Sequence, residues 1–211
     1  MRYEKGRKDA SRRRIVEVAA ERFRSDGIAA SGLAGIMSSA GLTNGAFYPH
    51  FRSKDDLVRE SVTAALDETS RRFETALTTG GLEAGLKAYL SPAHRDNPGQ
   101  GCALAALLPE LARQPSEARR SYAERFLAMV RQVSAALPPK TRDREAAALG
   151  ILATVIGALQ LARAVQGTAL SDRILTAGAK AARATAPLDK AGRLRAGHSL
   201  KRKRRREATV S

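Results

Sequence analysis

From Ser11 to Thr185 the apolar residues of this chain return every third or fourth position, and no stretch of useful length alternates apolar with polar. A return of that kind buries one face of a helix, whereas a return every second residue buries one face of a strand. The pattern therefore predicts an all-α fold without strands. Composition agrees: aromatics are only 4% of the 211 residues, and Ala and Leu carry most of the apolar 43%. A β-sandwich would draw on more Val, Ile, Thr and Tyr. The length suits one to two domains, and 27% charged residues is a soluble globular composition. No apolar run reaches the ~18 residues that span a bilayer, and no signal-type stretch follows the basic N-terminus, so a cytoplasmic protein without membrane contact is expected. Cys102, the sole cysteine, excludes an internal disulfide and a multi-cysteine zinc site.

Helix boundaries follow from local signals. Ser11 to Asp26 is amphipathic, with Ile15, Val18, Ala19 and Phe23 on one side, and Gly27 ends it. Ser31 is placed to cap a short second helix whose apolar face is Leu33, Ile36, Met37 and Ala40. Gly41 breaks it, and Thr43 caps a third that runs to about His50, with Pro49 near its end where it does limited damage. Ser53-Lys54-Asp55-Asp56 opens a fourth helix as a capping-box variant, continuing to about Leu77. Beyond Gly80-Gly81 come a short helix Leu82–Leu90, a loop from Ser91 to Gly101 with two prolines, and an apolar helix from Cys102 to Arg113 interrupted by Pro109. Ser116–Leu137, Arg144–Gln166 and Ser171–Thr185 complete the series. The Arg144–Gln166 segment is apolar nearly all round and must be buried on more than one face.

The formal charge of +16 is unevenly spread. Residues 1–56 carry a surplus of 4, residues 57–186 a surplus of 5, and the last 25 residues a surplus of 7. The tail, ending in Lys201-Arg202-Lys203-Arg204-Arg205-Arg206, is expected to be disordered and solvated. A basic excess points to polyanions. Three domains are expected: 1–56, 57–186 and the tail 187–211.

Two short helices joined by Gly41-Leu42 form a helix-turn-helix, whose second helix enters the major groove of DNA. Gly41 permits the positive φ of the turn. Leu42 and Phe47 plug a small core against Ile36 and Phe23. Thr43 and the amides after it offer an anion site suited to phosphate. Asn44 can donate to and accept from a base edge, and Gly45 lets backbone approach. Tyr48, His50 and Lys54 can donate to flanking phosphates, and Arg2, Lys5, Arg7 and Lys8 form a mobile basic arm. The residues expected at DNA are thus Ser31, Leu33, Thr43, Asn44, Gly45, Phe47, Tyr48, His50 and Lys54.

Gly41-Leu42-Thr43-Asn44-Gly45-Ala46-Phe47-Tyr48-Pro49-His50-Phe51, followed by Ser53-Lys54-Asp55-Asp56-Leu57, closely resembles the signature of the tetracycline-repressor (TetR/AcrR) family of bacterial transcription regulators. The resemblance covers roughly residues 11–60. Gly35 and Pro49 depart from it, standing where many members have a polar residue and a helix former. The resemblance implies that Thr43, Tyr48 and Lys54 hold phosphates while Asn44 and Gly45 face bases. It also implies a homodimer paired through residues 144–185, a small-molecule pocket in the larger domain, and a repressor released from a pseudo-palindromic DNA operator by an unidentified effector.

Tyr89, Leu107, Leu108, Phe126, Met129, Val155 and Leu159 can line that pocket or fill ordinary core; periodicity does not separate the two. Cys102 opens a helix, where a thiol acquires a lowered pKa and can sense oxidants, and it joins the pocket candidates; the plainer reading is an inert buried side chain. His94-Arg95-Asp96 reads as a local ion-pair cluster. His50 and His198 have no partners for catalysis, so neither an enzyme nor a bound cofactor or metal is expected. The alternative function is non-specific nucleic-acid binding driven by the basic tail.

Overall fold

The computed structural model describes residues 5–185 as helices with short connections, and no strand occurs among them. The tail from 187 onward, with His198, and Arg2 of the arm lie outside the described residues. Helix α1 spans Lys5–Asp26. It starts six residues earlier than expected because nothing between Gly6 and Ser11 stops a helix; a lone glycine costs only about 1 kcal/mol relative to alanine. Arg7 and Lys8 are therefore exposed helical residues and not part of a mobile arm. Gly27, at φ 84°, ends α1 in the left-handed conformation that favours glycine.

Helix α2 (Leu33–Ser39) packs on α1, and Gly41, at φ 74°, turns the chain out of it. Ser31 does not cap α2: Gly32 stands at the cap, and the fully buried Ser31 hydroxyl donates to the Gly27 carbonyl at 2.7 Å. The α1–α2 link is tied by this bond. The expected third helix is instead a single 3-10 turn, Asn44–Ala46, followed by turns through His50. Its bonds run three residues back, from Ala46 N–H to the Thr43 carbonyl at 3.0 Å and from Phe47 N–H to the Asn44 carbonyl at 3.1 Å. Pro49 has no N–H to donate to Gly45 and its ring crowds that carbonyl, so an α-helix cannot continue there.

Helix α3 (Lys54–Tyr89) opens as expected, with Asp56 N–H donating to the Ser53 hydroxyl at 3.1 Å. It crosses from the small N-terminal core into the larger one and is broken at Gly81 (φ 69°), so the short helix expected from Leu82 is its second limb. The expected loop from Ser91 holds helix α4 (Pro92–Asp96), capped by Ser91, and a 3-10 turn over Pro98–Gln100. Helix α5 (Ala103–Ala112) carries Pro109 without interruption, and α6 (Ser116–Ala136) lies along α3.

Helices α7 (Arg144–Ala164) and α8 (Ala169–Thr185) pair most extensively. A Cβ on Gly178 would stand 2.4 Å from that of Ala158, so only glycine lets the two helices approach this closely. Ser171, fully buried, donates to the Ala162 carbonyl at 2.7 Å. By length and composition α7 is apolar enough to cross a membrane, contrary to the run-length expectation, yet Ala148, Ile151, Leu152, Val155 and Leu159 are packed inside the fold.

The N-terminal core closes on Ile15, Ala19 and Phe23 of α1, with Ile36, Met37, Phe47, Phe51 and Leu57. Phe23 has no exposed surface. Phe23→Ala should therefore lower unfolding stability by about 3–5 kcal/mol, the range for an aromatic removed from a core, as read from the denaturant midpoint.

Candidate nucleic-acid interface and adjoining cavity

The segment after Gly41 puts its polar residues and Tyr48 outward and its phenylalanines inward. Thr43, Asn44, Gly45 and Pro49 are exposed, and Tyr48 is 71% exposed although it is a large ring. Phe47 faces the other way. It is buried, stacks on Phe51 with ring centroids 5.4 Å apart, and meets Tyr48 edge-on at the same separation. Of the residues expected at DNA, four (Thr43, Asn44, Gly45 and Tyr48) thus share one exposed edge. Phe47 is core and presents nothing to a partner. Ser31 is sealed in the α1–α2 link, and Leu33 is half-buried against the core.

His50 is half-buried, its Nδ1 lacks a hydrogen-bond partner, and burial, reinforced by Lys8 and Arg12, holds its pKa below the usual histidine value. It is neutral at pH 7 rather than a phosphate-binding cation. Lys54 donates to the Ile28 carbonyl at 3.3 Å and retains further N–H groups.

Arg12 of α1 supports this edge from behind. Its guanidinium lies 4.4 Å over the Phe51 ring, donates to the His50 carbonyl and pairs with Glu60 of α3. One side chain therefore joins α1, the end of the exposed segment and α3. Gly35 stands inside α2, where a Cβ would meet only the movable end of the Arg22 side chain.

A cavity of about 220 Å³ lies in the larger core, walled by α3, α4 and the residues up to Cys102. Thr69, Phe73, Tyr89, His94 and Cys102 line it, with Arg72 among the polar residues at its wall. Tyr89 and Cys102 are where the sequence placed them. Leu107, Met129, Val155 and Leu159 are fully packed core and Phe126 is half-buried against that core; none of the five lines the cavity. Burial pushes the Cys102 thiol up, not down, so it is a neutral thiol despite its place before α5. The Tyr89 hydroxyl is buried beside that thiol with no well-formed hydrogen bond, and its pKa is raised by the same desolvation.

The cavity touches the reading unit through the turn at 98–101. Arg24 of α1, 6% exposed, donates to the Gly99 carbonyl at 2.6 Å and pairs with Glu68 at 3.2 Å. Arg72 pairs with Glu68 as well and donates to the Gln100 carbonyl. A Cβ on Gly99 would stand 2.4 Å from Ser25, so the turn lies directly on α1. Farther along, Glu110 of α5 accepts from the Ile28 N–H at 2.8 Å.

His94 sits between the Tyr89 carbonyl, 2.7 Å from Nδ1, and the Cys102 N–H, which donates to Nε2 at 3.0 Å. Only a neutral ring with its proton on Nδ1 satisfies both. Burial lowers its pKa below 6.5. The stability carried by the neutral ring is complete above the unfolded value of about 6.5 and is lost as pH falls toward the lowered one. Thermal melts should therefore show a midpoint that falls on acidification from about pH 7 to 5, with a shallower fall in His94→Gln.

Residues 15–61 match the family model described as bacterial regulatory proteins, tetR family. Over 71 residues, a third of this chain, the sequence is 37% identical to the HTH-type transcriptional repressor KstR2 of Mycolicibacterium smegmatis, and the match spans 35% of that protein. Among solved structures, a TetR transcriptional regulator from Chloroflexus aurantiacus is similar with a TM-score of 0.68 at 24% identity, covering 82% of this chain and 94% of its own. A TetR-family regulator from Cytophaga hutchinsonii gives 0.69 at 20% identity, over 86% and 98%. These two likenesses are of fold, and they extend over the larger domain as well as the matched segment. Residues 15–61 are thus a helix-turn-helix of the tetR type, and the chain shares its fold along most of its length with solved regulators of that family.

Proposed function

We propose that this chain is a sequence-specific DNA-binding transcriptional repressor that acts as a homodimer in the cytoplasm and is released from its operator by a small molecule. The observation that carries the DNA-binding part is the outward edge Thr43, Asn44, Gly45 and Tyr48, held on the buried Phe47–Phe51 pair and backed by Arg12. Such an edge suits a major groove: Thr43, Tyr48 and Lys54 reach phosphates, Asn44 reads a base edge, and Gly45 keeps the backbone close. The reading unit comprises residues 1–56, with Arg7 and Lys8 exposed on α1, the larger unit residues 57–186, and the tail adds non-specific attraction.

Dimerisation is supported by an uncovered apolar line on α7. Leu149, Ala153, Gly157 and Leu161 recur every fourth residue, with Leu149 40% and Leu161 61% exposed, and Leu170 at the start of α8 extends the line. A monomer gains nothing by exposing such a stripe, whereas a two-fold axis covers it with its own copy. The effector part is supported by the 220 Å³ cavity and by the 98–101 turn that is at once near its wall and bonded to α1. A ligand that favours the conformer with mismatched reading heads would release the DNA, since only differential affinity shifts an equilibrium.

Selection of binding sites from random duplexes should return a pseudo-palindrome with half-sites about one helical turn apart. On that sequence Asn44→Ala should cost about 1–3 kcal/mol and relax preference at particular bases, whereas Tyr48→Phe should weaken all duplexes alike. Equal losses for Asn44→Ala on operator and random DNA would count against base reading. Leu161→Glu should halve the mass found by sedimentation equilibrium and weaken operator binding; an unchanged mass would remove α7 from the dimer interface.

A further inference from the structure

A second cleft of about 300 Å³ is lined from α1, α4, α5 and α7, with Pro98 of the 98–101 turn. Arg24, Arg95 and Arg163 converge on it from α1, α4 and α7, together with Ser25, Gln160 and Gln166, and no carboxylate is among its lining residues. Two of the three cations are already balanced: Arg24 by Glu68, and Arg95 by Asp96 and Asp172. Arg163 is not. Among the described residues no carboxylate pairs with it, and its Nε and one Nη donate to the main-chain carbonyls of Arg95, at 3.1 Å, and His94, at 2.8 Å. Removing a charge from water without a counter-charge is costly, and the more so the deeper it is buried. The same desolvation lowers the pKa of both Arg24 and Arg163.

We propose that this cleft binds a phosphate group, free or as the ester of a small molecule, between Arg24 of α1 and Arg163 of α7. Both guanidiniums have N–H groups not used by the protein contacts, and each glutamine amide has a second N–H beyond its bond to the Ala105 carbonyl or to Asp96. Donors arriving from α1, from α7 and from Gln166 beyond it suit an oxyanion that accepts in several directions; a carboxylate is satisfied by one planar fork. The apolar floor of Pro98, Ala105 and Ala106 leaves room for a short organic group. An occupant bridges the reading unit to α7, the helix proposed to pair the subunits, and so holds the two in one relation.

Thermal melting of the full chain without DNA, at constant ionic strength, tests this directly. Glycerol phosphate and inorganic phosphate should each raise the midpoint in a saturable way, whereas succinate and chloride should not; the larger of the two phosphate responses tells ester from free anion. Arg163→Gln should weaken the apparent affinity by about tenfold or more, as loss of a charge-assisted contact does. Ala106→Glu keeps every arginine and supplies a carboxylate to the cleft. It should melt above the parent with no additive and lose the phosphate response. Asn44→Ala should keep the response in full, which separates this cleft from the DNA-facing edge and leaves the test independent of DNA binding. No response to either phosphate, equal responses to succinate, or an unchanged response in both Arg163→Gln and Ala106→Glu would overturn the assignment.

Discussion

Phe23 and Arg24 are neighbours on α1 and are both buried, yet into different places. Phe23 fills the core under the reading edge. Arg24 is taken almost wholly out of water and has to be satisfied by the larger domain, through the Gly99 carbonyl and Glu68. A buried guanidinium without those partners would be strongly destabilising. The position of α1 against the 98–101 turn is therefore set by the need to satisfy that charge, and Gly99 is the residue small enough to allow the contact. This junction joins the helix that supports the reading edge to the turn between the two cavities, alongside the continuous α3 and the Glu110–Ile28 bond.

On the other side of α1, Arg12 does a comparable job in a wetter setting. It stacks on Phe51, donates to His50 and pairs with Glu60, so the short irregular segment between α2 and α3 is held at its end by α1 and α3 together. This support matters because the segment cannot hold itself. A single 3-10 turn makes few internal bonds and ends at a proline, so its shape comes from Phe47 and Phe51 beneath it. Rigidity at Thr43–Tyr48 is a property of the surrounding core.

Much of this was legible from residue order alone. The caps at Ser53 and the stops at Gly27 and Gly41 are local effects, decided by a hydroxyl or by a positive φ within a few residues, and they stand where the sequence put them. The outward Asn44, Gly45 and Tyr48 and the inward Phe47 also follow from local chemistry. Where local signals were weighed wrongly, the reason is specific. Pro49 does more than limited damage, because it cannot donate to the Gly45 carbonyl and its ring crowds that group, and the segment keeps the three-residue bonds at Ala46 and Phe47. Ser31 looked like a cap and instead bonds back to Gly27, since an N-cap and a link-closing hydroxyl have the same residue preference.

Residue order settled that the chain is helical, where its helices begin and end to within a turn or two, and that a helix-turn-helix precedes a larger apolar unit. These depend on contacts within about four residues, which a sequence displays directly. Which arginines are buried, which apolar side chains wall a cavity and which merely fill core, and which glycines permit close approach were decided only in three dimensions. Arg12, Arg24 and Arg163 look alike as arginines within helices; only their partners, between 38 and 75 positions away, distinguish a clamp, a junction and an unbalanced charge. Charge and packing act through space, and the distances that govern them have no counterpart along the chain.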